Sequence, residues 1–80
     1  MFTNDLKKGT RIQLANGWFA TLKDNRKGIR RMMDVEGIYR EMGDVYSHDI
    51  IAYVDAEGNW KTDIQYTKEQ NKLRSIVAAL

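Results

Sequence analysis

Short segments of alternating apolar and polar residues, separated by turns that contain glycine, run through most of this chain. In residues 10–15, Ile12 and Leu14 alternate with polar side chains, as a strand with one buried face requires. Asn16 and Gly17 follow, and this pair predicts a two-residue hairpin turn of type I′, which needs positive φ at both positions. The pattern predicts a mainly antiparallel β fold.

The alternation continues after this turn. Residues 18–23 predict the returning strand, with Trp18, Ala20 and Leu22 facing inward. Residues 24–28 end in glycine and predict a second turn.

The third predicted strand, residues 29–39, is long and less regular. Its alternation slips, so we expect a bulge near Arg31 and a sharp bend at Gly37. Residues 40–44 contain a glycine and predict the next loop.

The next β-rich region, residues 45–54, is too long for one simple strand, and we expect a kink at residues 47–49. Residues 55–58 predict a tight turn. The clearest strand in the sequence is residues 60–66. Its predicted inward residues are Trp60, Thr62, Ile64 and Tyr66.

At Thr67 the apolar period changes from two to about 3.6, which indicates a helix over residues 67–79. Thr67 and Gln70 match a capping box, in which each side chain binds the backbone N–H of the other residue. The apolar stripe consists of Leu73, Ile76, Val77 and Leu80. Five short strands and one terminal helix predict an SH3-like barrel over residues 1–80, with the helix covering an open end or a sheet edge.

Length and composition narrow the class of protein. A chain of 80 residues has room for one domain, because it buries only about 60% of the surface that its unfolded state exposes. Cysteine is absent, so neither disulfides nor thiolate metal sites support the core. The N-terminal residues lack an apolar run of signal-peptide length, and no stretch of about 18 apolar residues occurs. We expect a single cytoplasmic domain without membrane contact, cofactor or metal.

Basic residues concentrate in the first half of the chain. Residues 1–40 carry nine Lys/Arg and four Asp/Glu, whereas residues 41–80 carry four and seven. A basic face attracts polyanions, and Phe19 on the outward side of the second strand offers a ring for base stacking. The alternative is a solvated, charged turn. The predicted nucleic-acid-binding residues are Arg11, Lys23, Arg26, Lys27, Arg30 and Arg31.

Ser47, His48 and Asp49 have the residue types of a catalytic triad. A triad is defined by geometry, and three adjacent residues cannot join nucleophile, base and orienting group in sequence. We interpret them as structural residues at a kink, where Ser and Asp side chains bind local backbone groups. His48 is also the only histidine, which argues against a transition-metal site. The sequence therefore favours a non-enzymatic binding module.

The tyrosines exceed what a small core can bury, and exposed aromatic side chains favour a binding face. This leaves a second hypothesis, in which the protein binds or inhibits another protein, or forms a homodimer. The residues assigned to this alternative surface are Tyr39, Met42, Tyr46, His48 and Tyr53.

Residues 8–10, 14–18, 20–28, 35–37 and 43–50 carry turn and core signals whose order resembles that in small proteins encoded by tailed bacteriophages. The resemblance covers about residues 7–51. It implies a phage-encoded, non-catalytic protein in the host cytoplasm, acting on nucleic acid or on a host protein. It assigns no functional residue.

Overall fold

The computed structural model describes residues 1–37 and 40–80, which form six β-strands, two short 3-10 helices and one α-helix. The strands are β1 (Arg11–Leu14), β2 (Phe19–Leu22), β3 (Arg30–Glu36), β4 (Arg40–Tyr46), β5 (Ile50–Val54) and β6 (Trp60–Lys61). The 3-10 helices span Thr3–Asp5 and Ser47–Asp49, and the α-helix α1 spans Lys68–Ala78.

All six strands form one open antiparallel sheet in the order β4-β3-β2-β1-β5-β6. The first four strands form a meander, and the second 3-10 helix then carries the chain across to the free side of β1. The prediction of a mainly β fold with a C-terminal helix is confirmed. The predicted five-stranded SH3-like barrel is wrong, because the sheet has six strands and does not close into a barrel: its edges, β4 and β6, are not paired with each other in the described part of the chain.

The β1–β2 hairpin is confirmed, but its turn differs from the predicted type I′. Gly17 has a φ of +91°, and no described residue other than glycine has a positive φ. Gly17 donates its N–H to the Leu14 carbonyl at 2.8 Å, and Leu14 donates to the Trp18 carbonyl at 2.8 Å. The loop therefore has three residues, of which only the last needs the left-handed conformation that glycine adopts readily.

The predicted bulge near Arg31 is wrong. β3 keeps an unbroken register with both neighbours and turns Arg31, Met33 and Val35 inward. The irregularity lies in β5 instead, where Ile51 is the extra residue in the pairing with β1. The predicted loop at residues 40–44 is also wrong, since these residues belong to β4; seven cross-strand pairs with β3 outweigh the weak strand preference of the glycine.

The predicted kink at residues 47–49 is the second 3-10 helix, and the turn at residues 55–58 is confirmed by a positive φ at Gly58. The predicted strand over residues 60–66 is mostly wrong. Only Trp60 and Lys61 pair with β5, and Trp60 is exposed. Residues 62–66 lie outside the six strands, and Gln65 forms only an isolated bridge with Phe2.

The core lies on the inner face of the sheet, beneath the N-terminal segment and the segment before α1. Its buried residues are Leu6, Ile12, Leu14, Ala20, Leu22, Met33, Val35, Ile50 and Tyr53, with Val45 and Ile64 packed against them. The capping box at the start of α1 is confirmed, because Gln70 N–H donates to Thr67 Oγ1 and Thr67 N–H donates to Gln70 Oε1. Ile76 and Leu80 are exposed, so α1 hides less apolar surface than its stripe predicts.

Trp18 lies across the bend at Gly37, as a Cβ built on Gly37 would lie 2.4 Å from an indole carbon. Gly37→Ala therefore forces the ring or the bend to move, and we expect the free energy of unfolding to fall by about 2 kcal/mol. Urea denaturation measures this change. Gly43→Ala is the matched control, because a Cβ there meets no atom within 4 Å; an equal loss in both variants would contradict the explanation.

Candidate functional site

The solvent-facing side of the sheet carries a pair of exposed aromatic rings. Phe19 on β2 and Trp60 on β6 are 37% and 45% exposed. Their ring centroids are 5.5 Å apart and their planes are tilted by 52°. Trp60 reaches Phe19 across β5 and β1, which places a continuous aromatic surface on the outside of the sheet.

Arg11 on β1 completes this surface. Its guanidinium carbon lies 5.2 Å from the centroid of Phe19, and its Nη1 donates a hydrogen bond to Glu36 on β3. That hydrogen bond, together with the positive charge of Arg11, lowers the pKa of the Glu36 carboxyl below its ordinary value. We call Arg11, Phe19 and Trp60 the aromatic platform.

A second aromatic and basic pair lies on the same side of the sheet. Arg30 and Tyr46 are cross-strand partners on β3 and β4, and the guanidinium carbon lies 5.7 Å from the ring centroid. Among the described residues, no carboxylate lies within 4 Å of the Arg30 side-chain nitrogens. Arg30 therefore keeps its charge available beside an aromatic ring.

The loop before β3 presents three more of the predicted basic residues, Lys23, Arg26 and Lys27. Lys23 and Lys27 are exposed, and within the described residues neither has a carboxylate partner within 4 Å. Arg26 pairs with Asp24 at 3.2 Å and with Asp44 at 3.4 Å, so its charge is compensated.

Two further lysines at this end of the sheet, Lys7 and Lys8, were not among the predicted binding residues. Lys8 donates its backbone N–H to Asn25 Oδ1 at 2.7 Å, and this hydrogen bond brings the exposed Lys7 and Lys8 beside the loop before β3. This contact joins residues 17 positions apart and leaves no periodic signal in the sequence.

Arg31 lies in the interior rather than on the basic surface, with no exposed side-chain area. Its guanidinium donates to the backbone carbonyls of Thr3 at 3.0 Å, Leu6 at 2.9 Å and Asp24 at 2.6 Å. Its Nε also donates to Asp24 Oδ1 at 2.8 Å. The arrangement positions the N-terminal segment and leaves no group of Arg31 for a ligand.

Asp24 balances this buried charge. Burial by itself raises the pKa of the Asp24 carboxyl, but hydrogen bonds from Arg31 and from the backbone N–H groups of Met32 and Arg26 outweigh it and lower the pKa below its ordinary value. The folded state therefore favours the charged carboxylate.

Because the pKa of Asp24 is lower in the folded state, its stabilisation is complete above the ordinary pKa of about 3.9 and is lost as the pH falls through the folded-state pKa. We expect Asp24→Asn to reduce the free energy of unfolding by about 3 kcal/mol near neutral pH, because Arg31 loses its counter-charge. When the pH is lowered, the free energy of unfolding should fall less in the variant than in the wild type. Urea denaturation at several pH values measures this difference.

Asp34→Asn is the matched control, since the partner of Asp34 is Arg40, which is 68% exposed, whereas Arg31 has no exposed side-chain area; a pair with such an exposed partner contributes about 1 kcal/mol or less. An equal acid-induced loss in wild type and Asp24→Asn would contradict the role given to Asp24.

The residues of the predicted protein-binding surface are divided between two environments. Met42 is 58% exposed and Tyr46 half-buried on the solvent-facing side. His48 and Tyr53 are buried, and the Tyr53 hydroxyl donates to Asp63 at 2.8 Å. Tyr39 lies outside the described residues.

The Ser47–Asp49 helix holds its side chains in structural contacts. Ser47 donates its hydroxyl to the Gly28 carbonyl at 2.8 Å, and His48 stacks on Tyr46 with ring centroids 5.0 Å apart. His48 Nε2 lies 3.7 Å from Asp49 Oδ1, while its buried Nδ1 has no hydrogen-bond partner among the described residues. The described residues bring no three His, Asp or Glu side chains together as a metal site.

Trp60 is the member of the platform that sequence reasoning misplaced. The alternation of residues 60–66 predicted an inward Trp60, whereas the alternation of β2 correctly placed Phe19 outside. The outward position of Trp60 follows from its pairing with Val54 on β5. A single sequence does not reveal which residues pair across strands.

No known protein family, curated protein or solved structure matches this chain. Within residues 1–37 and 40–80, no helix is both long and apolar enough to cross a membrane.

Proposed function

We propose that the protein binds single-stranded nucleic acid on the solvent-facing side of its sheet. The observation that carries this proposal is the exposed Phe19–Trp60 pair beside Arg11. Bases stack on the aromatic platform, and the backbone phosphates pair with Lys23, Lys27 and Arg30.

Stacking rather than charge supplies most of the expected affinity. Arg11 is paired with Glu36 and Arg40 with Asp34, so part of the positive charge on this face is already compensated. The net charge of the chain is only +2. A duplex offers phosphates but hides the faces of its bases, whereas a single strand offers both. The platform therefore favours single strands.

We expect a short single-stranded oligonucleotide to bind with an affinity that falls about twentyfold over a fourfold rise in salt, as about three neutralised phosphates imply. Phe19→Ala and Trp60→Ala should each weaken binding by about tenfold or more, because each removes a stacking surface. Fluorescence anisotropy measures both effects. Lys27→Ala should lower the affinity and flatten the salt dependence.

Lys68→Ala is the matched control for Lys27→Ala, since Lys68 is an exposed lysine in the first turn of α1 and belongs neither to the sheet nor to the loop before β3. Absence of binding at low salt would overturn the proposal. Equal affinity for duplex and single strand, with no effect of Trp60→Ala, would overturn the stacking role.

A second candidate function, binding of another protein, is favoured by Met42. This exposed methionine lies opposite Asp34 on the same face as the platform, and exposed aromatic, methionine and arginine side chains are enriched at protein interfaces. For a phage-encoded protein the partner would be a host protein. Met42→Ala should weaken such an interaction while leaving oligonucleotide affinity unchanged, because it removes apolar contact area without changing the charge of this face. A co-purified partner would have to survive nuclease and high salt.

A further inference from the structure

A groove of about 330 Å³ opens on the core side of the sheet, between the β1–β2 turn, β4 and the second 3-10 helix. Its deeper lining is apolar and consists of Leu14, Val35 and Val45. Trp18, Glu41 and Asp49 line its more exposed part. The groove is separate from the aromatic platform, which lies on the other side of the sheet.

Trp18 is held in place before any ligand arrives. Its indole lies against Gly37, where a side chain would collide with the ring. Its backbone N–H donates to Asn16 Oδ1 at 3.0 Å, which fixes the turn that carries it. The ring is therefore a preorganised wall of the groove, and binding against it costs little ordering entropy.

The two carboxylates of the groove form no close ion pair with a lysine or an arginine among the described residues. Within the described residues, no Lys or Arg nitrogen lies within 4 Å of Glu41 or Asp49. Within that part of the chain, the basic side chain closest to Asp49 is His48, whose Nε2 lies 3.7 Å from Asp49 Oδ1, and Arg30 lines a neighbouring cavity together with Asp49. Glu41 faces the groove because it is the cross-strand partner of the inward Val35.

These features define one ligand chemistry. An apolar floor accepts a methylene stem, an indole face attracts a cation, and two carboxylates pair with positive charge. A guanidinium meets all three requirements better than an ammonium, because it is planar, stacks on rings and binds carboxylates through two parallel hydrogen bonds. A nucleic-acid phosphate would be repelled by Glu41 and Asp49.

We infer that this groove binds an arginine side chain presented by a partner protein. The groove takes the aliphatic stem, Trp18 stacks on the guanidinium, and Glu41 and Asp49 pair with it. This site is independent of nucleic-acid binding on the platform.

The probe for this site is N-acetyl-arginine methylamide, titrated into the ¹⁵N-labelled protein. The chain has two tryptophans, so its indole N–H signals report separately on the groove through Trp18 and on the platform through Trp60. We expect a saturable shift of the Trp18 signal at millimolar ligand and an unchanged Trp60 signal. The citrulline analogue, which has the same shape without the charge, should bind at least about fivefold more weakly.

Variants of the two groove carboxylates, Glu41 and Asp49, test the role of charge. Glu41→Gln and Asp49→Asn should each weaken binding by about three- to fivefold, as the loss of one partly exposed charge pair implies. Glu57→Gln in the β5–β6 turn is the matched control and should leave the affinity unchanged. Backbone signals outside the groove should stay in place, which shows that the variants keep the fold.

Three results would overturn the inference. They are equal binding of the citrulline analogue, equal shifts of both indole signals, and the absence of a saturable Trp18 shift. Equal binding of N-acetyl-lysine methylamide would overturn the assignment to arginine. None of these outcomes bears on oligonucleotide binding, so the two proposals fail or succeed separately.

Discussion

The interaction on which this structure depends is the buried guanidinium of Arg31. A buried charge is tolerated only when its hydrogen bonds are satisfied, and here the carbonyls of Thr3 and Leu6 and the carboxylate of Asp24 satisfy it. The N-terminal segment, the loop before β3 and β3 itself are therefore held as one unit. Gln70 attaches α1 to this unit, since its side-chain amide donates to the Gly28 carbonyl at 2.7 Å.

The buried network is accompanied by exposed aromatic rings. Its polar members occupy interior positions that apolar side chains hold in most small domains, whereas Trp18, Phe19 and Trp60 remain exposed. The exposed rings are not scattered. Phe19 and Trp60 lie beside arginine on the outer side of the sheet, and Trp18 lies beside carboxylates on the core side. The outer face thus combines aromatic surface with arginine, and the groove on the core side combines it with carboxylates.

Local patterns predicted the elements whose signals are themselves local. The β1–β2 hairpin and the Thr67 cap depend on residues no more than a few positions apart, and both were found. Alternation alone would have placed Arg31 inside with Met33, but the charge of Arg31 favoured an outward position. The carbonyl of Thr3 that binds Arg31 lies 28 residues away in the sequence, so no local pattern reveals it. Trp60 was misplaced for a related reason, because a period of two identifies extended backbone but not the strand or face beside it.

The hydrogen bond from Thr3 Oγ1 to Gln70 Oε1 spans 67 positions of the sequence, at a distance of 2.8 Å. The hairpins of the meander close short loops, whereas this contact requires the two ends of the described chain to meet, at a larger cost in chain entropy. We therefore expect the meander to organise first during folding and the Thr3–Gln70 contact to form after the rate-limiting step. The hydrogen bond then contributes little to the folding rate and mainly lowers the unfolding rate of the native state.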